Sequence, residues 1–305
     1  MAAIGTRSEV QDRGLALRDA KVFAAQIPEL LVQAQQIAHT VMNGWHGRRK
    51  RGAGENFWQF RPYSQGDTIN HIDWRRSARD DHTYIREKEW EAAHTVWLWS
   101  DFSPSMLYAS KLALCSKESR ALVLTLGFAD ILSRSGERIA WPQLLKPFSS
   151  RHGAEKLGTA LMNRPEQPAL PQFDGLKRFN EIILCSDFLQ PIEELDQILQ
   201  SLSKQGVRAH LVEVADPAEE LFPYSGRTEF TDPETGEILV IGRAETYADD
   251  YQRLYQARRA ELSDFCKRRG WSYTVSRTDR PASQALTHIH NALSFTSNNS
   301  MSGGR

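Results

Sequence analysis

The chain has 305 residues, 40% hydrophobic and 25% charged, with 38 Lys plus Arg balanced by 38 Asp plus Glu. Zero formal charge excludes a bulk electrostatic coat for nucleic acid or membrane, so any such contact must be local. A mean hydropathy of -0.51 fits a globule and not a disordered or membrane chain. No window reaches about 18 uninterrupted apolar residues, and MAAIGTRSEVQDRG has no apolar core, so neither a spanning helix nor a secretory leader is expected. The expected compartment is the cytoplasm. Cys115, Cys185 and Cys266 are widely spaced and read as free thiols, not as a disulfide framework or a zinc site.

In chain order, residues 1–20 are polar and mixed, and read as a flexible N-terminus. Ile27 to Met42 carries an apolar stripe at helical spacing, with Pro28 suited to a first turn. From Asn43 to Asp81 glycines, arginines and aromatics alternate with turn signals, and little regular structure is expected. His94 to Ser100 is a short strand ending in Asp101. Lys111 to Ser135 is a helix stopped by Gly136, followed by a strand over Arg138 to Trp141 and a helix over Ala154 to Met162. Asn180 to Cys185 is a strand ending in Ser186 and Asp187, and Pro191 to Lys204 is a helix closed by Gly206. Val207 to Val214 (strand), Thr246 to Arg269 (helix), Trp271 to Ser276 (strand) and Ala282 to Ser294 (helix) complete the alternation. Arg227 to Thr231 and Ile238 to Ile241 flank DPETGE as an inserted β-hairpin. This order predicts an α/β fold, a mostly parallel sheet flanked by helices. The expected organisation is a 21–93 segment packed on a main domain at 94–294, with a flexible tail at 295–305.

Ligands of open α/β sheets collect beyond the carboxyl ends of the strands, where strand order reverses. Two predicted strand ends carry acids: Asp101, opening a D-x-S-x-S string with Ser103 and Ser105, and Asp187. One or two carboxylates with hydroxyls and waters suit a hard cation such as Mg2+ or Mn2+. The same residues are also ordinary caps after strands. Asp101, Ser103, Ser105 and Asp187 are thus candidate metal ligands, and a rim centred on them is expected to be the functional site.

This string resembles the metal-ion-dependent adhesion site of von Willebrand factor type A domains, which implies a Rossmann-like sheet and a partner that docks an acidic side chain on the metal. That family adds a threonine from another loop. Aligning GAEKLGTAL on its pattern puts Glu155 in that place and Thr159 one helical turn later, so both are further candidate ligands. Upstream, Gly52 to Phe57, Arg61 to Asp67, Ile72 to Arg79 and Asp101 to Met106 resemble the G-x-G-x-x-F, R-x-Y-x-x-G-D, I-D-W-x-x-S-A-R and D-x-S-x-S-M signature of the domain of unknown function 58 family. The expected function is a noncatalytic, metal-dependent protein-interaction module that binds a partner through the rim bearing Asp101 and Asp187, and the family resemblance further implies a working partnership with a MoxR-type AAA+ ATPase in chaperone-like or complex-maturation work.

Within the signature, Arg61, Tyr63, Asp67, Asp73, Trp74 and Arg79 are candidates for partner docking, because aromatic and arginine anchors dominate interfaces. Arginine–carboxylate forks clamp loops equally well. Two other functions stay open from the residues alone. One is a metal-dependent phosphohydrolase or phosphotransferase using Asp101, although Ser103 stands where its second acid is usual. The other is nucleic-acid binding through Arg48 to Arg51, which lacks Walker spacing and reads more readily as a solvated run.

Overall fold

A computed structural model describes residues 5–46, 57–64, 72–79, 82–88, 94–164, 173 and 175–300. Helix α1 (Gly5–His46) runs through Pro28, whereas the sequence suggested a flexible start and a helix opening near Ile27. An interior proline costs about 3 kcal/mol. Phe23, Ile27, Ala34, Ala38 and Val41 are all buried along one face of α1, and that burial carries the helix past it. Residues 1–43 and 94–305 form one compact unit and residues 44–93 a second, so α1 belongs with the sheet and not with the signature segment.

In the second unit, where little regular structure was expected, β1 (Phe57–Pro62) pairs antiparallel with β2 (Tyr84–Lys88), with a short α2 (Trp74–Ser77) between them. Asp73 caps α2 by accepting from Arg76 N at 2.9 Å, and Tyr84 N donates to Ser77 Oγ at 2.8 Å. The I-D-W-x-x-S string thus folds as a cap and a brace.

The main sheet begins with β3 (Thr95–Ser100), followed by α3 (Lys117–Arg134), β4 (Arg138–Trp141), β5 (Leu145–Phe148) and α4 (Gly153–Met162). The chain continues as β6 (Glu181–Ser186), α5 (Ile192–Lys204), β7 (Arg208–Ala215) and α6 (Pro217–Leu221). The hairpin β8 (Thr228–Thr231) and β9 (Ile238–Ile241), helix α7 (Ala248–Arg268), β10 (Ser272–Arg277) and α8 (Ala282–Ser300) complete it. Helix α8 extends past the expected stop near Ser294. Helix α3 starts six residues later than Lys111, because Ser116 caps it by accepting from Ser119 N at 3.1 Å.

Strand order is β10-β7-β6-β3-β4-β5, parallel except for the β4–β5 edge pair. The mostly parallel α/β architecture read from the alternation is the one observed. β3 and β6 are buried on both faces, as parallel strands covered by helices are. Helix α3 packs with α4 and α8, whereas α5 packs on β7 and α7 on β10. The chain leaves β3 toward β4 and returns to β6 on the other side, so strand order reverses between β3 and β6. Cys185 and Cys266 are buried and Cys115 is half-buried, all three as free thiols. Among the described residues, no helix is long and apolar enough to cross a membrane.

Candidate functional site

The reversal point brings together the two acids named from sequence. Asp101 follows β3 and Asp187 follows β6, and Ser100 lies beside Cys185 in register. Asp101 is fully buried. Its Oδ1 accepts from Ser103 N at 2.8 Å, and its Oδ2 accepts from Ser186 Oγ and from Gln190 Nε2, each at 2.7 Å. Burial pushes the Asp101 carboxyl above the usual carboxylate range, against the hydrogen bonds from Ser186 and Ser103. Extended backbone at Ser103 leads into Pro104 and a 3-10 turn over Pro104–Leu107. That turn brings the Ser105 hydroxyl back over the sheet edge.

Ser105 Oγ donates to Asp187 Oδ2 at 2.8 Å and lies 3.1 Å from Ser103 Oγ. Asp101, Ser103, Ser105 and Asp187 therefore form one connected rim. The other oxygen of Asp187, Oδ1, accepts from Leu189 N at 3.1 Å. The residue after Asp187, Phe188, is buried with φ +52, a strained conformation for a bulky side chain. Arg258 of α7 holds the strained turn by donating from Nε to Phe188 O at 2.7 Å and from a second nitrogen to Gln190 O.

The central residue of the rim was not among those singled out. Lys117, the first residue of α3, is buried and donates from Nζ to Asp187 Oδ2 at 2.8 Å and to Glu219 Oε1. Burial works against the Lys117 charge, but Asp187 and Glu219 outweigh it and hold the ammonium above the usual lysine value. Glu219 closes a capping box on α6, its Oε2 accepting from Asp216 N at 3.0 Å. Asp216 in turn accepts from Ser110 N at 2.8 Å, which ties the loop after β3 to the end of β7. From outside, Glu234 in the hairpin turn accepts from Ser105 N at 3.0 Å. The hairpin thus reaches the rim.

Two local signals mark the elements that bear these residues, though not their pairing. Asp216, Pro217 and Glu219 spell a capping box with proline at the first helical position. A lysine just after the Ser116 cap sits at the unfavourable positive end of its helix dipole, and once buried it needs acids beside it.

The further ligand candidates are engaged elsewhere. Glu155 Oε1 accepts from Gln35 Nε2 of α1 at 2.8 Å, and Thr159 Oγ1 donates back to Glu155 O at 2.9 Å. In the second unit Asp73 serves as the α2 cap, Trp74 is 64% exposed, Tyr63 is 39% exposed and Arg79 is exposed. Arg61 lies in β1, opposite Ile85. Asp67 and the run Arg48 to Arg51 lie outside the described residues.

The donor set does not fit a divalent ion. Both oxygens of Asp187 already accept protein hydrogens. A divalent ion beside the Lys117 ammonium would meet like-charge repulsion of about 4 kcal/mol per unit charge at ~4 Å with partial screening.

Three comparisons bear on identity. Uncharacterized proteins of Mycobacterium bovis and Mycobacterium tuberculosis are 26% identical over 275 residues, covering 85% of this chain and 86% of theirs. The crystal structure of the conserved hypothetical protein BatB from Bacteroides thetaiotaomicron aligns at TM-score 0.39 and 14% identity, covering 66% of this chain and all of that one. An aerotolerance-related membrane protein from Bacteroides fragilis aligns at the same score and identity, over 66% of this chain and 99% of its own. The model of the protein family of unknown function DUF58 matches residues 59–261, which takes in β3, the rim and most of α7, and the chain belongs to that family.

Proposed function

We propose that this chain is a noncatalytic protein-interaction module that docks a MoxR-type AAA+ ATPase, in chaperone-like or complex-maturation work, through the rim after β3 and β6. The observation that carries this reading is the meeting of the D-x-S-x-S loop with Asp187 at the strand-order reversal, where open α/β sheets engage ligands. Leu107 and Leu189 stand exposed in the two loops that bear these acids, and apolar side chains next to fixed polar groups suit a protein surface. The rim lies where von Willebrand factor type A domains carry their adhesion site, used here without the metal. In the second unit the exposed Trp74 beside a rigid cap supplies an anchor of the kind interfaces favour.

The competing phosphohydrolase reading needs a carboxylate oxygen open to a phosphorus atom. Both oxygens of Asp101 accept hydrogen bonds from fixed neighbours. That engagement favours a structural acid over a nucleophile.

The test is capture of a purified MoxR-type ATPase by the full-length chain, compared with Asp101→Ala and Ser105→Ala. Each substitution is expected to weaken capture by about tenfold or more while a folded thermal transition is retained. Wild-type capture by both folded variants, or phosphatase activity that disappears in Asp101→Asn, would overturn the reading.

A further inference from the structure

We infer that the Lys117 ammonium is the resident cation of this rim, standing where a divalent ion would otherwise bridge the D-x-S-x-S loop and Asp187, so that the rim is assembled without metal. The inference concerns how the rim is held together and stands whether or not an ATPase docks there.

Three observations converge on it. The first is placement. Asp187 Oδ2 accepts simultaneously from Ser105 Oγ of the loop after β3 and from Lys117 Nζ, both at 2.8 Å. The ammonium at the head of α3 therefore shares one carboxylate oxygen of the loop after β6 with the Ser105 hydroxyl of the loop after β3.

The second is burial and charge. The Lys117 and Asp187 side chains are 1% and 3% exposed, and the second acid, Glu219, comes from α6, just past the end of β7. A buried ammonium persists only when it is paired and its donors are used. Here it joins acids that follow two neighbouring strands, which is the structural role of a bridging metal. Tyr108, from the same loop as Ser105, lies with its ring centroid 5.8 Å from Nζ, within cation–π range.

The third is the rest of the shell. Ser105 uses its hydroxyl hydrogen on Asp187, and its backbone N–H is taken by Glu234 of the hairpin. A carboxylate thus already sits on the outer residue of the D-x-S-x-S loop, and it comes from this chain. Cation and outer carboxylate are both supplied internally.

The experiment uses the full chain with Mn2+ as probe, read by electron paramagnetic resonance and by thermal unfolding in chelator and in millimolar Mn2+. The wild type is expected to show the same midpoint in both buffers. Lys117→Met is expected to unfold about 10 °C lower, with Lys117→Arg, which keeps the charge, falling between the two. One Mn2+ bound per wild-type chain, with binding and stabilisation lost in Asp187→Asn, would overturn the inference. So would a Lys117→Met midpoint within a degree or two of wild type. If Lys117→Met does not fold, the wild-type titration and Lys117→Arg still decide the question. Capture of an ATPase that fails in every buffer would sink the proposed function and leave the resident cation untouched.

Discussion

At the end of β6 the Asp187 carboxylate meets a lysine, whereas on β7 the buried Glu213 carboxylate meets an arginine. Arg259 of α7 donates to Glu213 through Nε at 2.7 Å and reaches Glu220 at 2.5 Å, and Arg277 continues the chain to Glu220 and Asp279. The hydroxyls of Tyr255 and Tyr273 also donate to Glu213, and burial with the Glu213 charge pushes both phenols far up. The guanidinium fork and its tyrosines make a clamp that fixes α7 and β10 on the sheet. The lysine is a compact point charge that joins the loop after β6 to the start of α6, and the loops beside it are what a binding partner would touch. Neighbouring residues of α7 serve both regions, since Arg258 holds the turn after Asp187 while Arg259 holds Glu213. The same helix therefore stabilises the clamp and shapes the rim.

Breaking each cluster separately sharpens this contrast. Lys117→Met leaves Asp187 buried without its cation and should cost about 3–5 kcal/mol in urea unfolding. Arg259→Met leaves Glu213 with two phenolic donors and should cost less, about 2 kcal/mol. Equal losses would erase the distinction between the two clusters.

A third buried ionisable group on the sheet responds to acid. His210 of β7, fully buried and 2.7 Å from Ser272 Oγ, is pushed down from 6.5 to about 3 by burial, with Arg208 adding to the effect. The folded state therefore binds fewer protons than the unfolded one. Its contribution is complete above pH 6.5 and is lost as pH falls from 6.5 toward 3, by at most about 1.4 kcal/mol per pH unit. His210→Asn should flatten the fall in unfolding free energy between those pH values, and an unchanged slope would assign the acid sensitivity to other groups. The smallest stability effect belongs to Trp74→Ala in the second unit. An exposed side chain should change the unfolding free energy by no more than about 0.5 kcal/mol, while ATPase capture weakens several-fold. A large loss of stability would mark Trp74 as a clamp and not an anchor.

The sheet and its two acids were legible because TVWLWS and NEIILC are short apolar runs that stop at Asp101 and Asp187, and period and punctuation are local properties. Lys117 was not legible in the same way. A helix read from Lys111 puts it on a solvated turn, and only the Ser116 cap moves it to the helix start. Its acids come from β6 and α6, 70 and 102 residues away, and no local pattern reports such pairings. The strands of the second unit were hidden by composition, since FWQFRP and YIREK mix aromatics with charge and lack clean alternation. Glu155 was drawn into the site by an alignment of spacing, but α4 turns it toward Gln35. The hairpin read only as an insertion because nothing in DPETGE announces that Glu234 will reach Ser105.

Arg164, just past α4, stacks its guanidinium 3.4 Å from the Phe102 ring centroid and 4.1 Å from that of Phe23. Phe102 sits between Asp101 and Ser103, and Phe23 belongs to the N-terminal helix, its ring meeting Phe102 edge-on at 5.4 Å. The long first helix is therefore a wall of the pocket in which the acid-bearing loop is cast. A recombinant fragment trimmed to begin at the first strand of the main sheet would strip one side of that sandwich and let Phe102 swing, carrying Asp101 with it. Binding measured on such a fragment would describe a loosened mould, and shortening the protein from its front end is the surest way to lose the very surface one hoped to isolate.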